Sequence, residues 1–124
     1  MLGGDLAHVT DFQGIKLVRI RTEAIITDDQ VEALGRALDS VAEVPAQRAV
    51  LSFLGVGHLT SQALGKLIQA HKALAETGGE LRLADIDPRI YEVFSITRLD
   101  KVFKIYDREQ DALASFSPGR GAEG

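Results

Sequence analysis

The sequence predicts a small α/β layer fold, with helices covering a mixed sheet, and three observations carry that prediction. Strand-like and helix-like pieces alternate along one short chain. One of the strand-like pieces, Ala49-Val50-Leu51-Ser52-Phe53-Leu54, is apolar almost throughout, the pattern of a central strand buried on both faces. With 124 residues the chain forms one domain, large enough to bury about two-thirds of the surface its unfolded form exposes.

The elements follow in order. Leu17-Val18-Arg19-Ile20-Arg21 alternates apolar and polar residues after a turn at Gln13-Gly14, as a half-buried strand does. Asp28 and Asp29 are placed to cap a helix whose Val31, Leu34, Leu38 and Val41 form one apolar face, and Pro45 ends that segment. The buried strand comes next and is broken by Gly55 and Gly57. A helix from Ser61 carries Leu64, Leu67, Ile68, His71 and Leu74 on or near one face, and Gly78-Gly79 stops it. Leu81-Arg82-Leu83-Ala84 reads as a strand. Asp87-Pro88 then starts a helix whose buried side is expected from Ile90, Val93, Phe94 and Ile96. Val102-Phe103-Lys104-Ile105-Tyr106 is a strand candidate, and Asp107 is placed to cap a last helix with Ala112, Leu113 and Phe116. Residues 1–116 therefore read as the domain and 117–124, with nothing to bury, as a flexible tail.

Composition narrows the function. Lys and Arg number 14 against 18 Asp and Glu, for a net charge of −4, which disfavours nucleic acid as a partner because phosphate needs a basic face. The chain has no Cys, so disulfides, thiol nucleophiles and Cys-based metal sites are excluded. Residues Met1 to Asp11 contain no Lys or Arg and do not read as a secretory signal. No apolar run approaches the roughly 20 residues that cross a bilayer, so the expected place of action is the cytoplasm, without direct membrane insertion.

Few residues form a catalytic pattern. His8, His58 and His71 stand apart from one another at no metal-ligand spacing, and His71 reads as structural. No nucleophile elbow is present, and neither an enzyme nor a cofactor or metal is expected. Gly55-Val56-Gly57, followed by Asp85 after the next strand, shares part of the context of a dinucleotide site. Thr60 stands where the third glycine belongs, and no Gly-Lys-Ser/Thr follows, so the glycines read instead as a tight turn. At the start of the second helix, Thr60 and Ser61 place two hydroxyls where a single cap needs one. The same spot could also take a phosphate, since free N–H groups and the positive end of the helix dipole lie there.

Val50-Leu51-Ser52-Phe53-Leu54-Gly55-Val56 followed by Leu59-Thr60-Ser61-Gln62-Ala63-Leu64-Gly65 resembles the STAS domain of bacterial anti-sigma-factor antagonists. The likeness extends through Gly78-Gly79-Glu80-Leu81-Arg82-Leu83, Thr97-Arg98-Leu99-Asp100 and Phe103-Lys104-Ile105-Tyr106-Asp107 to Ala112-Leu113. It implies a mixed sheet of four or five strands with about four helices packed mainly on one face. It also implies a regulator of transcription that works by partner switching. In the family, a partner anti-sigma factor, an ATP-using serine kinase related to histidine-kinase ATPases, phosphorylates the Ser after a signature Asp. That position falls on Ser61 here, with Thr60 as the alternative acceptor. Leu59, Thr60, Ser61, Gln62, Ala63, Lys66 and Gln69 are the implied contact residues. The signature Asp is Thr60, the second hydroxyl position is Gln62 and the next Gly is Ala63, so the carboxylate beside the acceptor is lost. A second reading of the same resemblance is an unphosphorylated binding module, either a scaffold subunit among other STAS proteins or a transport accessory.

Overall fold

The computed structural model describes residues 6–116. Two strands, β1 (Ala7–Phe12) and β2 (Ile15–Ile20), form a hairpin whose two loop residues, Gln13 and Gly14, have φ of 53° and 86°. Positive φ at both positions gives the turn whose twist matches the strands. The chain continues through the two-residue β3 (Ala24–Ile25), α1 (Asp28–Ala42), β4 (Arg48–Ser52), the two-residue β5 (His58–Leu59) and α2 (Ser61–Glu76). It ends with β6 (Glu80–Ala84), α3 (Pro88–Ile96), a short 3-10 turn at Leu99–Lys101, β7 (Lys104–Tyr106) and α4 (Glu109–Ser115). The main sheet runs β1-β2-β4-β6-β7, with β1 antiparallel to β2 and the other neighbours parallel. β3 and β5 pair in parallel as a separate small sheet.

Burial explains the layers. Ala49, Val50, Leu51 and Ser52 of β4 are all buried, as a central strand covered on both faces requires. Val18, Ile20, Ala49, Leu51, Leu81 and Leu83 face one core, where they meet Leu34 and Leu38 of α1, Leu67 and Leu74 of α2, and Ile90 and Phe94 of α3. Ile15, Leu17, Val50 and Ala84 face the other side and meet Ala112, Leu113 and Phe116. Three helices thus cover one face and α4 alone covers the other, in agreement with the expected mixed sheet with helices mainly on one side.

Arginines hold α4 in place. Arg19 donates twice to Glu109, at 2.9 and 2.6 Å. Phe116 lies under the Arg82 guanidinium at 4.0 Å and near that of Arg48 at 5.9 Å. Arg82 in turn pairs with Glu80 through bonds of 3.0 and 3.1 Å. The hydrogen bonds from Arg82 and Arg19 are the leading reason that the Glu80 and Glu109 carboxyls sit below their ordinary pKa.

Several local expectations are corrected. The edge strand β1 was not expected, because His8, Val9, Asp11 and Phe12 are exposed and leave no clear alternation. Thr27, not Asp28 or Asp29, caps α1 through a capping box with Gln30, and the two aspartates occupy its first turn. Arg108, not Asp107, precedes α4, and it makes no side-chain cap. Val102 and Phe103 fall in the turn before β7 rather than in the strand. Val93 and Ile96 are 36% and 74% exposed, so Ile90 and Phe94 alone anchor α3. Leu54 lies past the end of β4 and is 73% exposed, because the chain has already left the sheet. Residues 117–124, expected to form a tail, lie outside the described residues.

Gly78-Gly79 does end α2, and the close approach is specific: a Cβ on Gly79 would lie 2.2 Å from the Gln47 carbonyl oxygen. Gly79→Ala should therefore destabilise the fold by about 2 kcal/mol or more, read by denaturant melts. Gly65→Ala, where a Cβ meets nothing within 4 Å, should be neutral or stabilising by up to about 1 kcal/mol. A second expectation concerns acid. Carboxyls held below 4.5 when folded bind fewer protons than when unfolded, so their contribution is present above that pH and lost as pH falls below it. Stability should decline below about pH 4.5, and less steeply in Glu109→Gln.

Candidate functional site

Because β2, β4 and β6 are parallel and are followed by α1, α2 and α3, the first turns of these helices gather at the carboxyl edge of the sheet. The loop from β4 to α2 is tied down within that edge. Gly57 N and His58 N both donate to the Glu23 carbonyl, at 2.9 and 3.3 Å, and Thr60 N donates to Ile25 O at 3.2 Å. Four amides of this loop, those of Val56, Gly57, His58 and Thr60, are thus already bonded within the fold, which counts against the nucleotide reading of Gly55-Val56-Gly57. Gly55 has φ of 87°, the turn role expected for it. A Cβ at Gly57 would stand 3.1 Å from the Arg89 guanidinium, so this glycine makes room for the Arg89–Asp87 pair. Hydrogen bonds from the Arg89 side chain, then from its backbone amide, hold the Asp87 carboxyl below its usual range, with a smaller pull from His58. Asp85, the other residue of the nucleotide reading, accepts from Ser52 Oγ at 2.9 Å. Ser52 is 1% exposed and spends its hydroxyl on the half-buried Asp85, so neither residue stands free as a nucleotide-binding group. His71 packs edge-on against Phe103 with ring centres 5.2 Å apart, the structural role expected of it.

The two hydroxyls at the start of α2 divide their work. Thr60 is the N-cap, with extended backbone, and its Oγ1 accepts from Ala63 N at 3.3 Å. Ser61 is the first residue of the helix and is exposed, and its hydroxyl takes no part in the cap. Beside it, Gln62, Gly65, Lys66 and Gln69 of α2 line a groove of about 370 Å³ whose other wall is Asp28, Val31 and Glu32 of α1. Lys66 lies across α1 at Gly35, where a Cβ would come within 3.0 Å of its stem.

Three of the expected contact residues, Gln62, Lys66 and Gln69, therefore share one groove, next to Ser61 in the chain. Ala63 does not belong with them. It is fully buried, because its position in the turn shares the inward face with Leu64 and Leu67, so its methyl fills the core rather than the surface. Leu59 is half-buried and packs against the main core. The α1 residues Asp28, Val31, Glu32 and Gly35 were not expected at the site. The acidic first turn and the mid-helix glycine were visible in the sequence, but nothing in it placed α1 beside α2.

Comparison with known proteins agrees with this geometry. The STAS domain family model matches residues 8–112. The chain is 27% identical over 112 residues to an anti-sigma F factor antagonist of Paenibacillus polymyxa, covering 90% of this chain and 80% of that protein. Its fold is similar to that of an anti-sigma-factor antagonist STAS domain protein from Planctomyces limnophilus, with a TM-score of 0.79 at 19% identity, over 88% of this chain and 95% of that one. It is also similar to the Bacillus cell fate determinant SpoIIAA in its phosphorylated form, with a TM-score of 0.69 at 14% identity, over 89% and 98% of the two chains. At these identities the two structures speak for the fold, while the family model spans nearly the whole described chain. The hairpin edge, the buried β4 and the helix that begins at Ser61 are thus those of a known architecture, and the chain belongs to the STAS domain family.

Proposed function

We propose that this protein is a regulator of the anti-sigma-factor antagonist kind, acting in the cytoplasm on transcription, and that phosphorylation of Ser61 controls its binding to a partner. The observation that carries this reading is the division of hydroxyls. Thr60 is committed to the cap, whereas Ser61 stands exposed on the first turn with its hydroxyl outside the cap.

In the proposed step, Ser61 Oγ attacks the γ-phosphorus of ATP held by a partner kinase of the anti-sigma-factor type. The new Oγ–P bond replaces the bond to the ADP oxygen, and the hydroxyl proton passes to a base on the kinase. This chain contributes the nucleophile and its presentation, and no catalytic group. The product is tolerated by the fold. A phosphate on Ser61 would meet the positive end of α2, where the Ser61 and Gln62 amides have no acceptor among the described residues. The modification adds a charge of about −2 beside a groove that already carries Asp28 and Glu32. A partner surface that accommodates the neutral serine must then desolvate or repel that charge, so docking weakens without any rearrangement of the core.

The similarity to an anti-sigma F factor antagonist supports the reading, as does the likeness of fold to a protein whose phosphorylated form has been solved. Two variants separate the cap from the acceptor. Thr60→Ala should cost about 1 kcal/mol of stability and still take phosphate, whereas Ser61→Ala should change stability by less than about 0.5 kcal/mol and take none. Denaturant melts and a phosphate-transfer assay with the kinase recovered on the wild-type chain measure both. Ser61→Asp should bind that kinase at least about tenfold more weakly than Ser61→Ala. Equal affinity of the two variants, or undiminished phosphate uptake by Ser61→Ala, would overturn the proposal.

A further inference from the structure

The main sheet ends on a strand whose outer side is unpaired. β1 bonds to β2 alone, and among the described residues no other strand lies along it. The pairing shows which backbone groups are left over. Arg21 N donates to Leu6 O, and the hairpin closes on the pair Phe12 and Ile15, so Leu6, His8, Thr10 and Phe12 turn their backbone groups toward β2. The N–H and C=O groups of Ala7, Val9 and Asp11 therefore point away from the sheet, in one line and two residues apart. Such a row of donors and acceptors is the complement of another extended strand.

Nothing in β1 blunts this edge. Its 6 residues stay in unbroken register with β2 and include no Pro, Lys or Gly. Its one carboxylate, Asp11, is answered by Lys16 at 2.8 Å. Val9 is 37% and Phe12 45% exposed, and the alternation of the strand sets them on opposite faces of the sheet. The other edge is built differently, since β7 has 3 residues and begins with Lys104.

The side chains select both the occupant and its register. Two copies of β1 can pair antiparallel about a two-fold axis when outward-facing residues meet outward-facing residues, which centres the pair on a single residue. Centred on Val9, the valines of the two copies face each other, Ala7 faces Asp11 of the second copy, and His8 faces Thr10. All three outward residues then bond, through about six hydrogen bonds. Centred on His8, two imidazoles oppose each other. Centred on Thr10, Val9 meets a carboxylate, and centred on Asp11 two carboxylates meet. The Val9 register alone joins apolar to apolar at the axis and keeps like charges apart.

The layer above leaves room for this approach. Asp28, Val31, Glu32 and Gly35 of α1 face α2. The helical turn therefore sets Ala33, Ala37 and Ser40 on the opposite flank, the one toward β1. Short side chains there let a second α1 come close. We propose that the chain forms a two-fold dimer through β1, in the register centred on Val9, so that two main sheets join into one. None of these residues borders the groove beside Ser61, and the dimer is independent of the function proposed above.

Sedimentation of the full chain over a range of concentrations tests this. One strand and one helix flank per copy make a small contact, so a dimer with a dissociation constant of about 1–100 μM is expected. Val9→Pro removes an outward N–H and no bond to β2, so the fold should survive, as melting will show, while the dissociation constant rises about tenfold or more. Val9→Lys, which sets two cations together at the axis, should do the same and gives a second reading if the proline variant does not fold. Hydrogen exchange reads the register. The Ala7, Val9 and Asp11 amides should be protected in concentrated protein and exposed on dilution, whereas those of His8 and Thr10 stay protected in both. A chain still monomeric at about 1 mM, a dimer that persists in the folded variants, or outward amides that exchange equally fast at both concentrations would overturn the proposal.

Discussion

Strand β4 is buried on both faces, and this burial determines where the rest of the molecule can lie. A strand with Ala49, Val50, Leu51 and Ser52 all inaccessible needs neighbours on both edges and helices above and below. β2 and β6 supply the edges, α1 and α2 the upper layer and α4 the lower. Parallel pairing then forces each connection to return through a helix. The crossovers deliver the first turns of α1, α2 and α3 to one edge of the sheet. The position of Ser61 follows from the core rather than from any feature of the loop that precedes it.

That loop nevertheless shapes the site. By pairing β5 with β3 and sending the Gly57, His58 and Thr60 amides to carbonyls of the segment before α1, the chain ties down the strand-to-helix turn and fixes α2 next to α1. What remains open is the outer surface of the first turn. There the cap and the free hydroxyl sit on consecutive residues, so the stability of the helix does not depend on the exposed hydroxyl of Ser61.

Legibility in the sequence tracked burial. β4, β6 and the apolar faces of α1 and α2 could be read directly because their residues face the core at regular spacing. β1 could not, since an edge strand with four exposed residues in six obeys no strict alternation. At α1 the cap is Thr27 because an Asp in a first turn and an Asp at a cap look alike without the backbone angles, and at α4 Asp107 falls one residue before the cap position, Arg108. At the site, which of the two hydroxyls caps α2 was open in sequence; Thr60 does so, because its Oγ1 is the one that faces the Ala63 amide. Ala63 was misplaced for a related reason. A small residue next to a surface serine invites a surface reading, and only the inward rotation it shares with Leu64 and Leu67 corrects it. The groove wall from α1 depends on a contact between distant segments and left no mark in either segment alone.

The account rests on Ser61 being the hydroxyl that carries the switch. The most direct measurement is recovery of the chain with its partners from the cells that make it, followed by intact mass and site mapping of the recovered protein. The account predicts a single phosphate on Ser61 in part of the population, with the ATP-binding partner retained by the unmodified chain and depleted from the modified one. A phosphate on Thr60, or a chain unmodified under all conditions and bound only to other STAS or transport proteins, would contradict it.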